Sequence, residues 1–194
     1  MHIDLEKVAG VDEVGRGSLF GPVLASAVIL NQFQSIKLLN AGLKDSKKLT
    51  KPKIQNLSTL IKKTSIAWGL GQASAKEIDN FGIRSATERA MIRALQRLPA
   101  KPEIVLVDGI LPIRGWQGLQ KTIPRGETHS PSIAAASIIA KEYRDKLMIR
   151  IAKNFPKYGI NHHMGYGTEF HRRSIKLFGP TKLHRLSFIK KIYQ

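Results

Sequence analysis

Residues 8–17, VAGVDEVGRG, end a short apolar segment with two adjacent carboxylates, Asp12 and Glu13, and a Gly-Arg-Gly turn follows at once. Adjacent carboxylates repel each other unless a cation or a proton offsets their charge. The glycines on either side of Arg16 allow the backbone to approach a ligand closely, because they carry no side chain. The stretch therefore indicates metal ions held against a phosphate, with backbone groups that read whatever lies beside it.

The apolar runs around this stretch predict a mostly buried sheet. Residues 8–12 and 23–30 are almost continuously apolar, which is typical of strands covered on both faces. Further strands are predicted at residues 66–72, 104–108 and 119–123. Helices are predicted to begin after the capping residues Thr50, Ser74 and Ser130 and to cover residues 168–178. This order of elements indicates an α/β fold with a mixed sheet.

The charge of the chain indicates a polyanionic partner. Its 194 residues favour one compact domain. Lys and Arg number 32 against 14 Asp and Glu, which gives a formal net charge of +18. So basic a domain is expected to bind phosphates, because cations that displace counterions from phosphates gain free energy. A ribosomal or membrane-surface protein would share this charge.

Other totals exclude several kinds of chemistry. The chain has no Cys, so disulfide frameworks, thiolate zinc sites and Cys nucleophiles are excluded. No apolar run approaches the roughly 20 residues of a membrane span. The first residues lack the basic and apolar segments of a signal peptide. We therefore expect a cytoplasmic protein with no membrane partner.

A third carboxylate, Asp108, ends the predicted strand at residues 104–108. Ligands of open α/β sheets gather at the carboxyl ends of strands, so Asp108 could converge with Asp12 and Glu13. Convergent carboxylates bind hard cations such as Mg²⁺, and two such ions can activate water against a phosphodiester. Taken singly, the same residues are also compatible with an ordinary capped turn and an Asp-Gly turn.

Six motifs resemble those of the ribonuclease HII family, the type 2 ribonucleases H, in the family's order from residue 8 to residue 188. They are VAGVDEVGRGSLFGPVLASAVIL, GLKDSKKLT, IVLVDG, SIAAASIIAKEYRD, HHMGYGTEFH and GPTKLHRLSF. The resemblance implies a ribonuclease H-like fold over residues 1–194: a five-stranded mixed sheet flanked by helices, with a C-terminal helical segment from about residue 156 that covers the substrate. It also implies endonucleolytic cleavage of RNA in RNA–DNA hybrids and of DNA containing single ribonucleotides.

Carried onto this sequence, the resemblance implies two Mg²⁺ or Mn²⁺ ions held by four catalytic carboxylates. Asp12, Glu13 and Asp108 match three of the family's ligands. The fourth is normally an Asp in a Lys-Gly-Asp segment, and this sequence has Glu127 in Arg-Gly-Glu instead. Its side chain is longer by one C–C bond, roughly 1.5 Å. Asp145, deep in a predicted helix, is the rival candidate and is interpreted as an ion-pair former.

The resemblance also implies a reader of the ribose 2′-hydroxyl. Gly15, Arg16 and Gly17 match the family's main-chain sensor, and Tyr166 matches the tyrosine that stacks on the following sugar. Phosphate contacts are assigned to a basic loop and to basic residues of the C-terminal segment: Ser46, Lys47 and Lys48, with Arg172, Arg173, Lys182 and Arg185. The histidines of that segment are interpreted as packing or phosphate-facing residues, because no zinc pattern is present.

Together these features predict a metal-dependent endoribonuclease, monomeric, that cuts 5′ to a ribonucleotide and leaves 3′-hydroxyl and 5′-phosphate ends. Three alternatives stay open at this point. A ribonuclease HIII-like enzyme would lack the preference for single ribonucleotides. A basic RNA- or hybrid-binding module would bind without cutting, and a transposase- or resolvase-type nuclease would cut plain DNA.

Overall fold

The structure, a computed structural model, describes residues 5–44, 46 and 49–192, except for the side chains of Leu5 and Lys191. Five strands form one sheet: β1 (Val8–Val14), β2 (Val23–Ile29), β3 (Ala67–Ala73), β4 (Ile104–Asp108) and β5 (Leu119–Ile123). The α-helices are α1 (Gln32–Asn40), α2 (Lys51–Thr64), α3 (Ala75–Leu95), α4 (Pro131–Ala152), α5 (Ile160–His163), α6 (Glu169–Phe178) and α7 (Leu186–Ile189).

The sheet has the order β3-β2-β1-β4-β5 and is mixed, as predicted. β1 pairs antiparallel with β2 and parallel with β4, and β5 continues the parallel half. β1 extends two residues beyond the predicted end, to Val14, because its last residues pair with the start of β2. The two adjacent carboxylates therefore belong to the strand itself rather than to the turn after it.

Helix α4 lies against one face of the sheet at backbone distance. A Cβ atom placed on Gly10 of β1 would lie 2.3 Å from the Ile133 nitrogen of α4 and 2.4 Å from the Ser132 carbonyl carbon. The small residues at the start of α4, from Ala134 to Ala136, are buried against the same face. This close contact fixes α4 beside the strand that carries Asp12 and Glu13.

Helix α3 covers the opposite face, where its apolar residues pack on Ala9 and Val11 of β1. The predicted capping residue Ser74 forms a capping box with Glu77 at its start, with both hydrogen bonds present. Gly82 interrupts the helix with a φ of 76°. The sheet is thus buried between α3 on one side and α4 with α2 on the other, as its continuous apolar runs predicted.

Helix α1 was absent from the sequence-based prediction. Its large apolar side chains face outward, Phe33 with 74% of its surface exposed, and Leu38 is its buried residue. The segment therefore has no inward apolar stripe to identify it. The signal that could have found it is the capping box of Asn31 and Gln34, which the structure forms.

The C-terminal segment packs around Phe20, which follows the Gly-Arg-Gly turn. Tyr158, Ile160, Met164 and Ile175 share one buried cluster with Phe20, and Phe20 also forms a β-bridge with His184. In the part of the chain that the structure describes, no helix combines the length and apolar character needed to cross a membrane.

Candidate active site

The parallel pairing of β1 with β4 brings two of the predicted carboxylates to one edge of the sheet. Val11 is opposite Val107 in the ladder, and Asp12 and Asp108 are the next residue on each strand. Paired residues of neighbouring strands point to the same face. Asp12 and Asp108 are therefore neighbours on the face covered by α4, which confirms the convergence expected from the strand ends.

Glu13 leaves β1 on the other face, because successive side chains of a strand alternate. Asp12 accepts a hydrogen bond from Ser137 of α4. Glu13 instead lines a cleft of about 280 Å³ with Arg84 of α3 and Asp108. Its carboxylate still lies close enough to raise the pKa of both Asp12 and Asp108.

The turn around Gly126 brings the Glu127 side chain next to Asp108. The amide N–H of Gly126 donates to the Asp108 carboxylate at 2.7 Å. A Cβ atom on Gly126 would lie 2.6 Å from the Ile133 side chain, so glycine allows this approach. The preceding Arg125 adopts the left-handed conformation, with a φ of 54°. The turn places the Glu127 carboxyl in hydrogen-bonding contact with the Asp108 carboxyl.

The ionised forms of Asp12 and Asp108 are destabilised in this site. Burial raises the pKa of Asp12 well above its ordinary value, and the charges of Glu13 and Asp108 raise it further. Burial also raises the pKa of Asp108 to about 6; the Gly126 hydrogen bond opposes this rise, and Glu127 and Glu13 add to it. Such a concentration of buried negative charge is what a bound cation would relieve.

Two serines, Ser137 beside Asp12 and Ser46 behind Ser137, complete this corner. The Ser137 hydroxyl donates to the Asp12 carboxylate, and the Glu13 amide donates to it at 2.7 Å. Ser46 is buried, and its hydroxyl oxygen lies 2.9 Å from the hydroxyl oxygen of Ser137. Either hydroxyl can be the donor in that pair. Ser137 was not identified as a site residue from the sequence, although its position in the alanine-rich helix could have suggested this role.

The Gly-Arg-Gly turn is held from inside by two buried arginines. Arg185 donates to the carbonyls of Gly15 at 2.8 Å and Arg16 at 2.7 Å. Gly15 has a φ of 87°, and a Cβ atom there would lie 2.2 Å from the Arg144 Nε atom. At Gly17, by contrast, a Cβ atom would enter open space. Packing therefore explains the first glycine of the turn but not the second.

Tyr166 lies beside the same arginines, with 38% of its surface exposed. The Arg144 guanidinium carbon is 5.4 Å from the centre of its ring, a cation–π distance. The backbone carbonyl of Tyr166 accepts a hydrogen bond from His171 Nδ1 at 2.9 Å. The structure thus brings the predicted sugar-reading residues of the turn and of the C-terminal segment to one place.

Sequence comparison identifies the family to which this arrangement belongs. A family model described as Ribonuclease HII matches residues 9–191. The chain belongs to the ribonuclease HII family. Ribonuclease HII of Prochlorococcus marinus strain NATL2A is 59% identical over 185 residues, which cover 95% of each protein. The chain is accordingly a ribonuclease H, an endonuclease that hydrolyses phosphodiester bonds.

Solved structures share its ribonuclease H-like fold. The crystal structure of ribonuclease H2 from Pyrococcus horikoshii OT3 superposes with a TM-score of 0.80 at 24% identity and covers 95% of this chain and 96% of that chain. Bst-RNase HIII in complex with Mn²⁺ gives a TM-score of 0.73 at 22% identity, with 98% and 70% covered. The family assignment overturns the non-catalytic module and favours ribonuclease HII over the HIII-like alternative.

The donor set of the ribonuclease HII site fits the divalent ions on which ribonucleases H depend. In residues 5–44, 46 and 49–192, no three His, Asp or Glu side chains are arranged so that they could hold an ion as they stand. The alternation along β1 sends Glu13 to the face opposite Asp12 and Asp108. The all-oxygen donors and the raised pKa values of Asp12 and Asp108 nevertheless match a hard cation.

The predicted phosphate contacts of the ribonuclease HII footprint have separate outcomes. Ser46 has its hydroxyl engaged with Ser137, and Lys47 and Lys48 lie outside the described residues. Arg173 and Lys182 are exposed, and the exposed Arg172 donates to the Gly167 carbonyl at 3.0 Å. The interpretation of Arg185 as a surface phosphate contact is wrong: it is fully buried, since its guanidinium is needed for backbone carbonyls.

His171 and His184 are buried, as expected for most histidines of this segment, and form a hydrogen-bonded relay behind Tyr166. The Thr181 amide donates to His184 Nδ1, so the His184 proton is on Nε2, 3.1 Å from His171 Nε2. His171 in turn donates to the Tyr166 carbonyl. Burial lowers the pKa of both histidines to about 4. The relay holds α6 and residues 181–184 against the Tyr166 turn.

We expect this relay to make the fold acid-sensitive. Unfolded histidine titrates near pH 6.5, so between about pH 6.5 and 4 the unfolded chain binds more protons than the folded one. The contribution of these two histidines to the free energy of unfolding is therefore fully present above pH 6.5. It is lost as the pH drops, by up to about 1.4 kcal/mol per pH unit for each histidine. Denaturant unfolding across this window measures the slope. In a His171→Gln variant the slope should be smaller; an unchanged slope would contradict the assignment.

Proposed function

We propose that the chain is a two-metal endoribonuclease that cuts RNA in RNA–DNA hybrids and cuts 5′ to single ribonucleotides in duplex DNA. The products carry 3′-hydroxyl and 5′-phosphate ends. The observation that supports this most is the position of the Gly-Arg-Gly turn at the end of β1. Strand β1 thereby connects the acidic edge directly to this turn. The second glycine of the turn faces open space, which a backbone that contacts a ribose closely requires.

In this mechanism Asp12, Glu13, Asp108 and Glu127 would hold two Mg²⁺ or Mn²⁺ ions. When bound, these ions lower the pKa of a bound water and offset the charge that develops on the scissile phosphate. The chain contributes the orientation of the ligands. Ser137 and the Glu13 amide fix Asp12, and the Gly126 amide fixes Asp108.

Residues around the acidic edge position the substrate. The exposed Arg16 lies 3.4 Å from the Glu13 carboxylate, where its charge can also meet a phosphate. The half-exposed Tyr166 ring offers a stacking surface for a sugar. The net charge of +18 draws the protein to nucleic acid of any sequence. We further propose a monomer in the cytoplasm, where chromosomal DNA would supply the substrate.

The test offers the purified protein a DNA duplex with one ribonucleotide, an all-DNA duplex and an RNA–DNA hybrid. Each is incubated with Mg²⁺, Mn²⁺ or a chelator, and the cut position is mapped. We expect a single metal-dependent cut 5′ to the ribonucleotide and none in all-DNA. Cutting of all-DNA would favour the transposase-type alternative, and cutting of the hybrid alone would remove the single-ribonucleotide preference.

Gly17→Ala tests the sugar-reading turn without disturbing the fold. The new methyl group would enter open space, so the melting temperature should stay within about 1 °C of wild type. Because the methyl would occupy the path of an approaching sugar, cleavage at a single ribonucleotide should fall at least about tenfold, as for a loss of about 1.4 kcal/mol. An unchanged rate would place the substrate elsewhere.

A further inference from the structure

Arg185 is a buried cation that the proposed catalysis does not use. Its side chain is fully buried, and no Asp or Glu in the described part of the chain forms an ion pair with it. Burying a guanidinium is costly unless its donors are satisfied. Here three backbone carbonyls satisfy them: Gly21 at 3.0 Å, Arg16 at 2.7 Å and Gly15 at 2.8 Å.

Two of these carbonyls determine the direction of the sugar-reading turn. A trans peptide is planar, with its C=O and N–H groups pointing in opposite directions. The Gly15 carbonyl shares its peptide with the Arg16 N–H, and the Arg16 carbonyl shares its peptide with the Gly17 N–H. Because Arg185 draws both carbonyls inward, both N–H groups point away from the guanidinium. The open space at Gly17 shows that a ligand can approach this turn closely.

Arg144 supports the same arrangement from α4. Its guanidinium contacts the position that a Gly15 side chain would occupy and donates to the Pro22 carbonyl at 3.4 Å. Burial lowers the pKa of Arg185 to about 9, and the nearby positive charge of Arg144 contributes to this decrease. The fork of donors on Arg185 is what matches two successive carbonyls, and a lysine ammonium lacks that planar geometry.

We propose that Arg185 is a positioning residue for sugar discrimination: by holding the Gly15 and Arg16 carbonyls, it aims two backbone N–H groups at the ribose 2′-oxygen. The C-terminal segment thereby determines selectivity without touching the substrate through this side chain. The proposal rests on the proposed function, since it assumes that the Gly-Arg-Gly turn meets the ribonucleotide.

Binding constants for two duplexes that differ in one 2′-hydroxyl test the proposal. They are measured with Ca²⁺ in place of Mg²⁺, after wild-type cleavage under that condition has been shown to be absent. Wild type should bind the ribonucleotide duplex more tightly than all-DNA. Arg185→Lys should reduce this preference at least fivefold and leave the all-DNA dissociation constant within twofold. Lys182→Ala, an exposed change three residues away, should weaken both duplexes equally.

The outcomes separate the two proposals. A wild-type protein without preference would contradict the proposed function, whereas a preference retained in Arg185→Lys would overturn the role of Arg185 alone. If Arg185→Lys fails to bind all-DNA because it does not fold, amide exchange in wild type decides. Protection of the Arg16 and Gly17 amides by the ribonucleotide duplex, but not by all-DNA, supports the proposal; equal protection by both overturns it.

Discussion

Asp12→Asn should abolish cleavage and, in metal-free buffer, raise the melting temperature. Loss of one metal ligand removes several kcal/mol of transition-state stabilisation, so the single-turnover rate should fall at least about 10³-fold. The variant should nevertheless be more stable without metal, because its amide no longer carries a buried charge beside Glu13 and Asp108. Added Mg²⁺ or Mn²⁺ should raise the melting temperature of wild type but have little effect on the variant.

Asp145→Asn is the matched control for this experiment. Asp145 forms an ion pair with Lys141 on α4 at 3.0 Å. It also lines a different pocket, with Lys51 and Ile149. Its replacement should leave the rate and the metal-induced stabilisation unchanged. A strong loss of activity in Asp145→Asn, with activity retained in Asp12→Asn, would reverse the assignment of the ligands.

Glu127→Gln should slow metal-dependent cleavage by roughly 10² or more, whereas Glu127→Asp should keep it. The glutamine retains the shape of the side chain but loses the charge that faces Asp108. The aspartate keeps the charge and shortens the reach by roughly 1.5 Å, which restores the residue usual in the family. Rates over a series of Mg²⁺ and Mn²⁺ concentrations separate weaker ion binding from slower chemistry.

The control for Glu127 is Glu169→Gln, which removes a charge from an exposed ion pair with Arg173 on α6. That variant should cut at the wild-type rate. If Glu127→Gln also cuts at the wild-type rate, Glu127 does not hold an ion, and three carboxylates must suffice. If Glu127→Asp is inactive, the longer side chain is required by this particular loop.

Local patterns were enough for most of the secondary structure and for the acidic residues. The apolar run at residues 104–108 matches the observed β4, because a short apolar run bounded by turn residues leaves little freedom in where a strand begins and ends. The strand predicted at residues 119–123 matches β5 as well, although three of its five residues are polar. The predicted capping residues Ser74 and Ser130 mark helix starts because their side chains accept hydrogen bonds from the first free amides. Thr50 also precedes its helix, but its side chain makes no capping hydrogen bond. Helix α1 escaped because its apolar side chains face outward.

By itself the sequence determined the family, the mixed sheet and the presence of carboxylates at neighbouring strand ends, since these follow from periodicity and from motifs that are contiguous in the chain. Only the tertiary structure decided that Ser137 of α4 lies beside Asp12. It also showed that Arg185, which was predicted to lie on the surface, is buried in the interior. The physical reason is that burial and hydrogen-bond partners depend on contacts between residues more than 100 positions apart, which no local pattern encodes.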